Sequence, residues 1–212
     1  MTPGLYFTLG LIVIGIAVGL AWRTFSQRHK LPCPAWLGWM VEMDNPFTKT
    51  NRARFIVGQL KLAPAMTVLD AGCGPGRLTL PLAETVGPQG HVLAVDIQSE
   101  MLARVRTKVE AAGLGNVEYL QAGLGEGKLP KAHFDRALLV TVLGEIPDQA
   151  SALQDIFEAL KPGGILSVTE VIFDPHFQPQ GSALRMAEGV GFHKMDFFGK
   201  RLAYTLHLEK PA

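Results

Sequence analysis

Acidic residues stand at the ends of two apolar stretches in this chain. The first, Asp70, follows a predicted strand and leads into a turn that contains Gly72, Gly74 and Gly76. Glycine allows backbone torsions and a close approach that a Cβ would block, so a ligand can lie against this turn. The Asp70 carboxylate can reach an ammonium group of that ligand directly or through water. The pattern predicts a ligand-binding turn.

The second acidic residue, Asp96, ends the next predicted strand and is followed by Ile97. A carboxylate there can accept hydrogen bonds from both hydroxyls of a ribose, while the aliphatic side chain can lie under a flat purine. Alone, a glycine turn is often only a tight turn, and an aspartate at a strand end is often a helix cap. Together, and in this order, the two features predict an adenosine site.

The glycine spacing separates two nucleoside cofactors. The dinucleotide fingerprint is G-x-G-x-x-G, with a pyrophosphate at the helix N-terminus. Residues 70–76 instead read Asp-x-Gly-x-Gly-x-Gly. A carboxylate directly before the glycines repels phosphate and suits a cationic sulfonium amino acid. The spacing therefore predicts S-adenosylmethionine, with S-adenosylhomocysteine as the product, and disfavours an NAD-dependent reductase.

These motifs resemble the class I methyltransferases, especially the small-molecule branch with the ubiquinone/menaquinone methyltransferases and related lipid and thiol methyltransferases. The resemblance covers about residues 48–210. Its specific pieces are the 70–76 turn, Val95-Asp96, Phe134-Asp135 and the Leu-Lys-Pro-Gly-Gly run at 160–164. It implies that the turn holds the methionine moiety and Asp96 the ribose. It also implies a doubly wound, mainly parallel seven-stranded α/β sheet that ends in an antiparallel pair, at 194–198 and 204–209.

One departure from the family concerns adenine. Many relatives have Gly-Asp-Ala after the third strand, whereas residues 121–125 here read Gln-Ala-Gly-Leu-Gly. Adenine recognition would then depend on backbone groups around Gly123 and Leu124.

The acceptor side is expected after the fourth and fifth strands. Thr141 begins a stretch that should line the cofactor crevice, and Glu145 is its nearest carboxylate able to bind or deprotonate an acceptor. His176, in the turn after the fifth strand, could act as a base or orient the substrate. The alternatives are a salt-bridge or helix-approach role for Glu145 and a solvated loop position for His176. A thiolate or neutral amine acceptor would need no general base, because methyl transfer is largely in-line positioning.

The elements that position these residues are apolar strands that alternate with helices. This alternation indicates a parallel sheet covered by helices on both faces. The predicted strands are 67–70, 91–96, 117–121, 137–141 and 165–170. The predicted helices are 48–62, 77–86, 99–112 with Ser99 as N-cap, and 149–160, the last stopped by Lys-Pro-Gly-Gly at 161–164.

The N-terminus carries an uncharged apolar stretch from Leu5 to Trp22. About 20 apolar residues span a bilayer, and the basic n-region and small-residue cleavage site of a signal peptide are missing. Tyr6 and Trp22 suit the two interfaces. The basic residues Arg23, Arg28, His29 and Lys30 follow. By the positive-inside rule, residues 4–22 are predicted to be a transmembrane anchor, with the catalytic domain in the cytoplasm.

Residues 23–47 form a basic, then Trp-rich juxtamembrane segment. Its large apolar residues fall at helical spacing: Trp36, Leu37, Trp39, Met40 and Met43. A short amphipathic helix in the membrane interface and ordinary packing on the domain explain them equally well. Gly15 and Gly19 in the anchor could pair two copies as a homodimer, or could simply be tolerated in a membrane helix.

The 212 residues provide for one catalytic domain, at 48–212, beside the anchor. Lys plus Arg (20) balances Asp plus Glu (19), which disfavours a nucleic-acid partner. Cys33 and Cys73 suggest neither a disulfide framework nor a metal site.

Three functional hypotheses follow. The leading one is a membrane-anchored methyltransferase acting on an apolar or membrane-associated acceptor, such as a lipid or an isoprenoid-derived molecule. The second keeps the chemistry with a small diffusible thiol or other small molecule as the acceptor. The third is a non-catalytic membrane adapter that binds the nucleoside.

Overall fold

A computed structural model describes residues 3–29, 32–34, 36, 38–44 and 48–212. The helices are α1 (Pro3–His29), α2 (Gly38–Glu42), α3 (Ala53–Gln59), α4 (Thr79–Val86), α5 (Ser99–Ala111), α6 (Gln149–Ala159) and α7 (Gln180–Gly189), with a 3₁₀ turn at Lys49–Asn51. The strands are β1 (Thr67–Ala71), β2 (His91–Asp96), β3 (Val117–Gln121), β4 (Phe134–Val140), β5 (Leu160–Val171), β6 (His193–Lys200) and β7 (Ala203–Glu209).

The seven strands form one sheet in the order β3-β2-β1-β4-β5-β7-β6. Strands β1 to β5 pair in parallel, whereas β7 runs antiparallel to both β5 and β6. The strand order reverses between β1 and β4, and ligands bind at the carboxyl ends of the strands beside such a reversal. The predicted doubly wound sheet with its final antiparallel pair is confirmed.

Helices cover both faces of the sheet because successive residues of a buried strand point to opposite sides. In β1, Leu69 and Ala71 pack into the cluster that contains α6 and α7. Val68, next to Leu69, packs into the cluster that contains α3 and α4. The central strands are therefore held rigidly, and the loops at their carboxyl ends project from a fixed frame.

Four local features differ from the sequence expectations. The helix predicted at 48–62 is divided into the 3₁₀ turn at Lys49–Asn51 and α3, because Arg52 between them is extended. Helix α7 was not predicted, because only two small residues, Ala183 and Ala187, are buried in it and they leave a weak apolar pattern. Ser99 is the first residue of α5 and not its N-cap, a position that Gln98 occupies. The 161–164 run belongs to β5 rather than to a loop, with Gly163 at φ 74° where the strand starts near the surface.

Helix α1 is the only helix among the described residues that is long and apolar enough to cross a membrane, over Tyr6–Ser26 with a mean hydropathy of 1.8. None of the apolar 18-residue window within this span is buried in the protein, whereas Ser26 at its end is 2% exposed. Helix α2 lies where an amphipathic helix was predicted, and Trp36, Trp39 and Met43 around it are exposed. Leu37 and the basic Lys30 lie outside the described residues.

Candidate active site

The glycine turn follows β1 and lies against the end of β2. The backbone N–H groups of Gly72 and Cys73 both donate to the Val95 carbonyl, at 2.8 and 2.9 Å. A Cβ at Gly72 would lie 2.6 Å from the Val142 side chain, so this glycine lets the loop after β4 pack on the turn. Gly74 has φ 52°, and its Cβ position has no atom within 4 Å. The turn thus leaves open space at Gly74, as a cradle for a ligand requires.

Asp96 joins this turn to the end of β2. Its Oδ2 accepts from the Gly74 N–H and its Oδ1 from the Gln98 N–H, both at 2.9 Å. Burial raises the pKa of Asp96. Each carboxylate oxygen can accept a second hydrogen bond, which leaves capacity for ribose hydroxyls. The adjacent Ile97 is 58% exposed, and its aliphatic surface is available to a purine.

Asp96→Ala is expected to weaken binding of S-adenosylhomocysteine without unfolding the domain. Losing a partner of this kind costs about 1–3 kcal/mol, which is roughly 5- to 150-fold in Kd. Calorimetry on the wild type and the variant measures the change, and Asp96→Asn, which keeps one acceptor oxygen, should fall between them. A folded alanine variant with unchanged affinity would remove Asp96 from the binding site.

Asp70 is buried beneath the turn rather than presented at its surface. It is 3% exposed, and one oxygen accepts from the Thr79 hydroxyl at 2.6 Å. Burial raises its pKa to about 6, and the hydrogen bond from Thr79 and the charge of Arg77 oppose that rise. The predicted direct contact with an ammonium group remains a prediction. The observed contact ties the end of β1 to the start of α4.

The loop after β3 lies where adenine is predicted to bind. The Ala122 N–H donates to the Asp96 carbonyl at 3.2 Å, which places this loop beside the ribose position. A Cβ at Gly123 would lie 2.7 Å from the Glu126 carboxylate, so the Glu126 side chain lies beside this backbone. Leu124 packs partly buried against the core. Adenine recognition by Gly123 and Leu124 remains a prediction, and the Glu126 side chain lies close to Gly123.

Thr141 follows the last residue of β4 with φ 56°, a left-handed conformation that a β-branched residue rarely adopts. Its N–H donates to the Thr169 carbonyl at 2.9 Å and its hydroxyl to the Val140 carbonyl at 2.7 Å. Such strain of about 1–3 kcal/mol persists where surrounding contacts fix the backbone, and it is common at functional sites. The loop that Thr141 starts therefore leaves the sheet at a fixed angle toward the glycine turn.

Glu145 and His176 lie together at the acceptor side. His176 Nδ1 is 3.8 Å from Glu145 Oε1 and 4.0 Å from Asp174 Oδ1. A Cβ at Gly144 would overlap the His176 backbone, so the loops after β4 and β5 are in direct contact. His176 is 4% exposed and is not a solvated loop residue.

Two carboxyl groups at this end of the sheet have strongly raised pKa values. Burial raises the pKa of Glu145 to about 8, and the charges of Asp174 and Asp96 add to the rise. Burial likewise raises the pKa of Glu170 to about 8, against a hydrogen bond from the Gln178 N–H. Perturbed carboxyl groups at the end of a parallel sheet mark a functional site. A carboxylate with a pKa near 8 can accept a proton from a weakly acidic acceptor.

The segment after α1 crosses this side of the sheet. The Cys33 carbonyl accepts from Gln98 Nε2 at 2.9 Å, and the Cys33 N–H donates to the Glu145 carboxylate. One residue therefore links the ribose side of the site to the acceptor side. Burial raises the pKa of the Cys33 thiol to about 11, with Glu145 and Asp174 contributing.

Two further contacts come from the end of α1 itself. Arg23 donates from Nη1 to the Ile172 carbonyl at 3.0 Å. The Ser26 hydroxyl lies 3.0 Å from His176 Nε2, and Ser26 is 2% exposed. Sequence reasoning missed Arg23, Ser26 and Cys33 as site residues, since no local pattern indicates a contact with a distant part of the chain. Arg77, which binds the Asn51 side chain at 2.8 Å, was also missed.

The comparisons with known proteins concern the family and the fold. A family model described as a methyltransferase domain matches residues 62–195. The ubiquinone/menaquinone biosynthesis C-methyltransferase UbiE of Vibrio vulnificus is 35% identical over 151 residues, 71% of this chain and 56% of that protein. The demethylmenaquinone methyltransferase of Listeria welshimeri is 34% identical over 108 residues, 51% of this chain and 46% of that protein. The chain thus spans about half the length of the curated relatives it matches.

Among solved structures, a SAM-dependent methyltransferase from Aquifex aeolicus superposes with a TM-score of 0.73 at 21% identity, covering 84% of this chain and 99% of that one. At this identity the likeness concerns the fold. The sheet and the family match together define a class I methyltransferase fold. The chain belongs to the methyltransferase domain family, and S-adenosylmethionine is the cofactor that this membership implies.

Proposed function

We propose that this protein transfers the methyl group of S-adenosylmethionine to an apolar, membrane-associated acceptor such as a lipid or an isoprenoid-derived molecule. The observation that carries the proposal is the contact between the apolar N-terminal helix and the acceptor side of the site, through Ser26 and His176. The relatives named for ubiquinone and menaquinone biosynthesis support an acceptor of this class.

The cofactor would be held by the glycine turn and Asp96, with Ile97 against the adenine and Thr141 at the end of β4. S-adenosylmethionine supplies the methyl group as an electrophile. The chain's own residues orient the acceptor and remove its proton. Glu145 is the proposed base, because its side chain is 19% exposed while that of His176 beside it is 4% exposed.

Exposed apolar side chains near the N-terminal segment support the membrane assignment. Phe25, Trp36 and Trp39 are each more than half exposed, and so is Phe173, next to the Ile172 carbonyl that binds Arg23. Large exposed apolar residues clustered near an apolar helix are typical of a surface that meets lipid. Pairing of two copies through Gly15 and Gly19 remains a prediction.

A small thiol remains the second candidate acceptor, because a thiol would also lose a proton to Glu145. The choice is made by incubating the full chain with labelled S-adenosylmethionine, total lipid extract and a small thiol in competition. Label in the lipid fraction is the expected result. Label only in the thiol would mean that the membrane helix serves only to localise the enzyme. Cofactor binding without any methyl transfer would favour the non-catalytic adapter.

The full chain is expected to sediment with membranes and to resist high salt and alkaline carbonate. Salt screens only electrostatic attachment, whereas an uncharged span of about 18 residues buries a large apolar area. A tag on Met1 should face away from the cytosol and a tag on Ala212 toward it, because the basic residues follow the span. Protease protection in sealed vesicles measures both tags.

Two results would contradict this topology. Release of the protein by carbonate would contradict the prediction of a transmembrane anchor. An Ala212 tag found on the outer face of the membrane would reverse the orientation and separate the site from cytosolic S-adenosylmethionine.

A further inference from the structure

The end of helix α1 contributes a polar contact to the acceptor side of the site. Arg23 and Ser26 are three residues apart and therefore lie on one face of α1. Both bind the segment that follows β5, Arg23 at the Ile172 carbonyl and Ser26 at the His176 ring. The last turns of the helix are thus docked on the loop that carries His176.

The ring of His176 is fixed at one nitrogen and unpaired at the other. Nε2 lies 3.0 Å from Ser26 Oγ, while Nδ1 is buried without a hydrogen-bond partner among the described residues. The Asp174 side chain accepts from the His176 backbone N–H at 2.7 Å, which fixes the backbone beneath the ring. Because Ser26 holds the ring at Nε2 and Asp174 holds the backbone N–H, Nδ1 is directed toward the oxygens of Glu145 and Asp174, at 3.8 and 4.0 Å.

Titratable and hydrogen-bonding groups around Glu145 come from several elements. They are Asp174 and His176 after β5, Glu170 on β5, Asp96 at the end of β2, and the Cys33 N–H from the segment after α1. Burial raises the pKa of Asp174, and contacts with His176 and the charge of Arg23 oppose that rise. Among these groups only the His176 ring presents a side-chain nitrogen to the Glu145 oxygens, at 3.8 Å.

We infer that Ser26 is a positioning residue. Its hydroxyl donates to His176 Nε2, so that the ring proton lies on Nδ1 and the Nδ1–H stabilises the carboxylate of Glu145, the group that takes the acceptor's proton. This inference rests on the proposed function. In the reaction the acceptor X–H bond gives its proton to Glu145, the new X–CH₃ bond forms, and the electron pair of the broken S–CH₃ bond stays on the sulfur of S-adenosylhomocysteine. Ser26 touches none of the reacting atoms and acts through the imidazole.

The Glu145 titration tests the inference without requiring an acceptor. The full chain in detergent, labelled with δ-¹³C glutamate and assigned with Glu145→Gln, gives the midpoint of the Glu145 carboxyl by NMR. The Ser26→Ala variant should raise the midpoint of the Glu145 titration by roughly half a pH unit to one pH unit, which corresponds to the loss of one net hydrogen bond. Ser26→Thr, which keeps the hydroxyl, should titrate like the wild type.

Thr24→Ala is the matched control. Thr24 lies two residues away on α1, and its hydroxyl donates to the Ala21 carbonyl within the helix. This variant should leave the midpoint unchanged. The Glu145 midpoint should shift no further in the double variant Ser26→Ala/His176→Gln than in His176→Gln alone, because both substitutions remove the same interaction with Glu145.

A Ser26→Ala midpoint equal to that of the wild type overturns the inference, and so does an additive shift in the double variant. Transfer to reduced demethylmenaquinone in vesicles then separates the two proposals. If this acceptor is methylated and the midpoint is unmoved by Ser26→Ala, the positioning role fails alone. If S-adenosylhomocysteine does not bind to the wild type, the proposed function fails, whatever the titration shows.

Discussion

Gly74→Val is expected to abolish binding of S-adenosylmethionine while the domain still folds. Gly74 has φ 52°, its Cβ would enter open space, and its N–H donates to Asp96. A branched side chain would fill the space that the ligand needs and would disfavour the torsion that brings the N–H to the carboxylate. We expect a loss of at least about 100-fold in affinity, or roughly 2.7 kcal/mol. Calorimetry with S-adenosylhomocysteine measures it.

Gly113→Val separates the ligand effect from backbone strain. Gly113 follows α5 with φ 67°, and its Cβ position is also free of neighbours within 4 Å. It precedes β3 and so lies at the end of the sheet opposite to the crevice. Both variants should lose similar stability to heat, but only Gly74→Val should lose the cofactor. Normal binding by Gly74→Val would show that the glycine turn is not the cradle.

Glu145→Gln is expected to lower turnover by about 100- to 10,000-fold, the usual contribution of a general base, while cofactor affinity is kept. The pKa of Glu145 is raised to about 8, so its protonated form predominates at neutral pH. The carboxylate that accepts the proton accumulates only above that value. The wild-type rate should therefore rise with pH through about 8, and the variant should show no such rise.

Glu170→Gln tests the origin of that inflection. Glu170 is a buried carboxyl whose pKa is also raised to about 8, and its charge contributes to the raised pKa of Glu145. Removing this charge should move the inflection to lower pH without eliminating it. An inflection that disappears with Glu170→Gln and persists in Glu145→Gln would assign the base to Glu170 instead.

The cofactor side of the site could be predicted from sequence because its signals are local. The glycines, Asp70 and Asp96 lie within 27 residues, and apolar strands end directly at both acids. The strand order then brings those ends together without further information. The alternation of strands and helices fixed most element boundaries to within a few residues for the same reason.

The acceptor side could be predicted only in part. Their positions after β4 and β5 predict Glu145 and His176 as residues of the acceptor side. The 3.8 Å distance between His176 Nδ1 and Glu145 Oε1, however, depends on Gly144, which packs against the His176 backbone. The contact between Ser26 and His176 joins residues 150 apart, and a serine at the end of an apolar helix carries no sign of such a partner. Helix α7 was missed because its pattern of buried residues is weak.

The docking of α1 also determines how this protein would meet its acceptor in kinetic experiments. In the proposed topology the apolar span ends at Trp22, and Ser26 follows about 6 Å further along the helix axis, at 1.5 Å per residue. Ser26 in turn contacts His176. The reaction would therefore take place at the level of the lipid headgroups, where encounters are two-dimensional. The apparent KM for a lipid acceptor should follow its mole fraction in the bilayer, so adding inert phospholipid at constant total acceptor should slow the reaction by surface dilution.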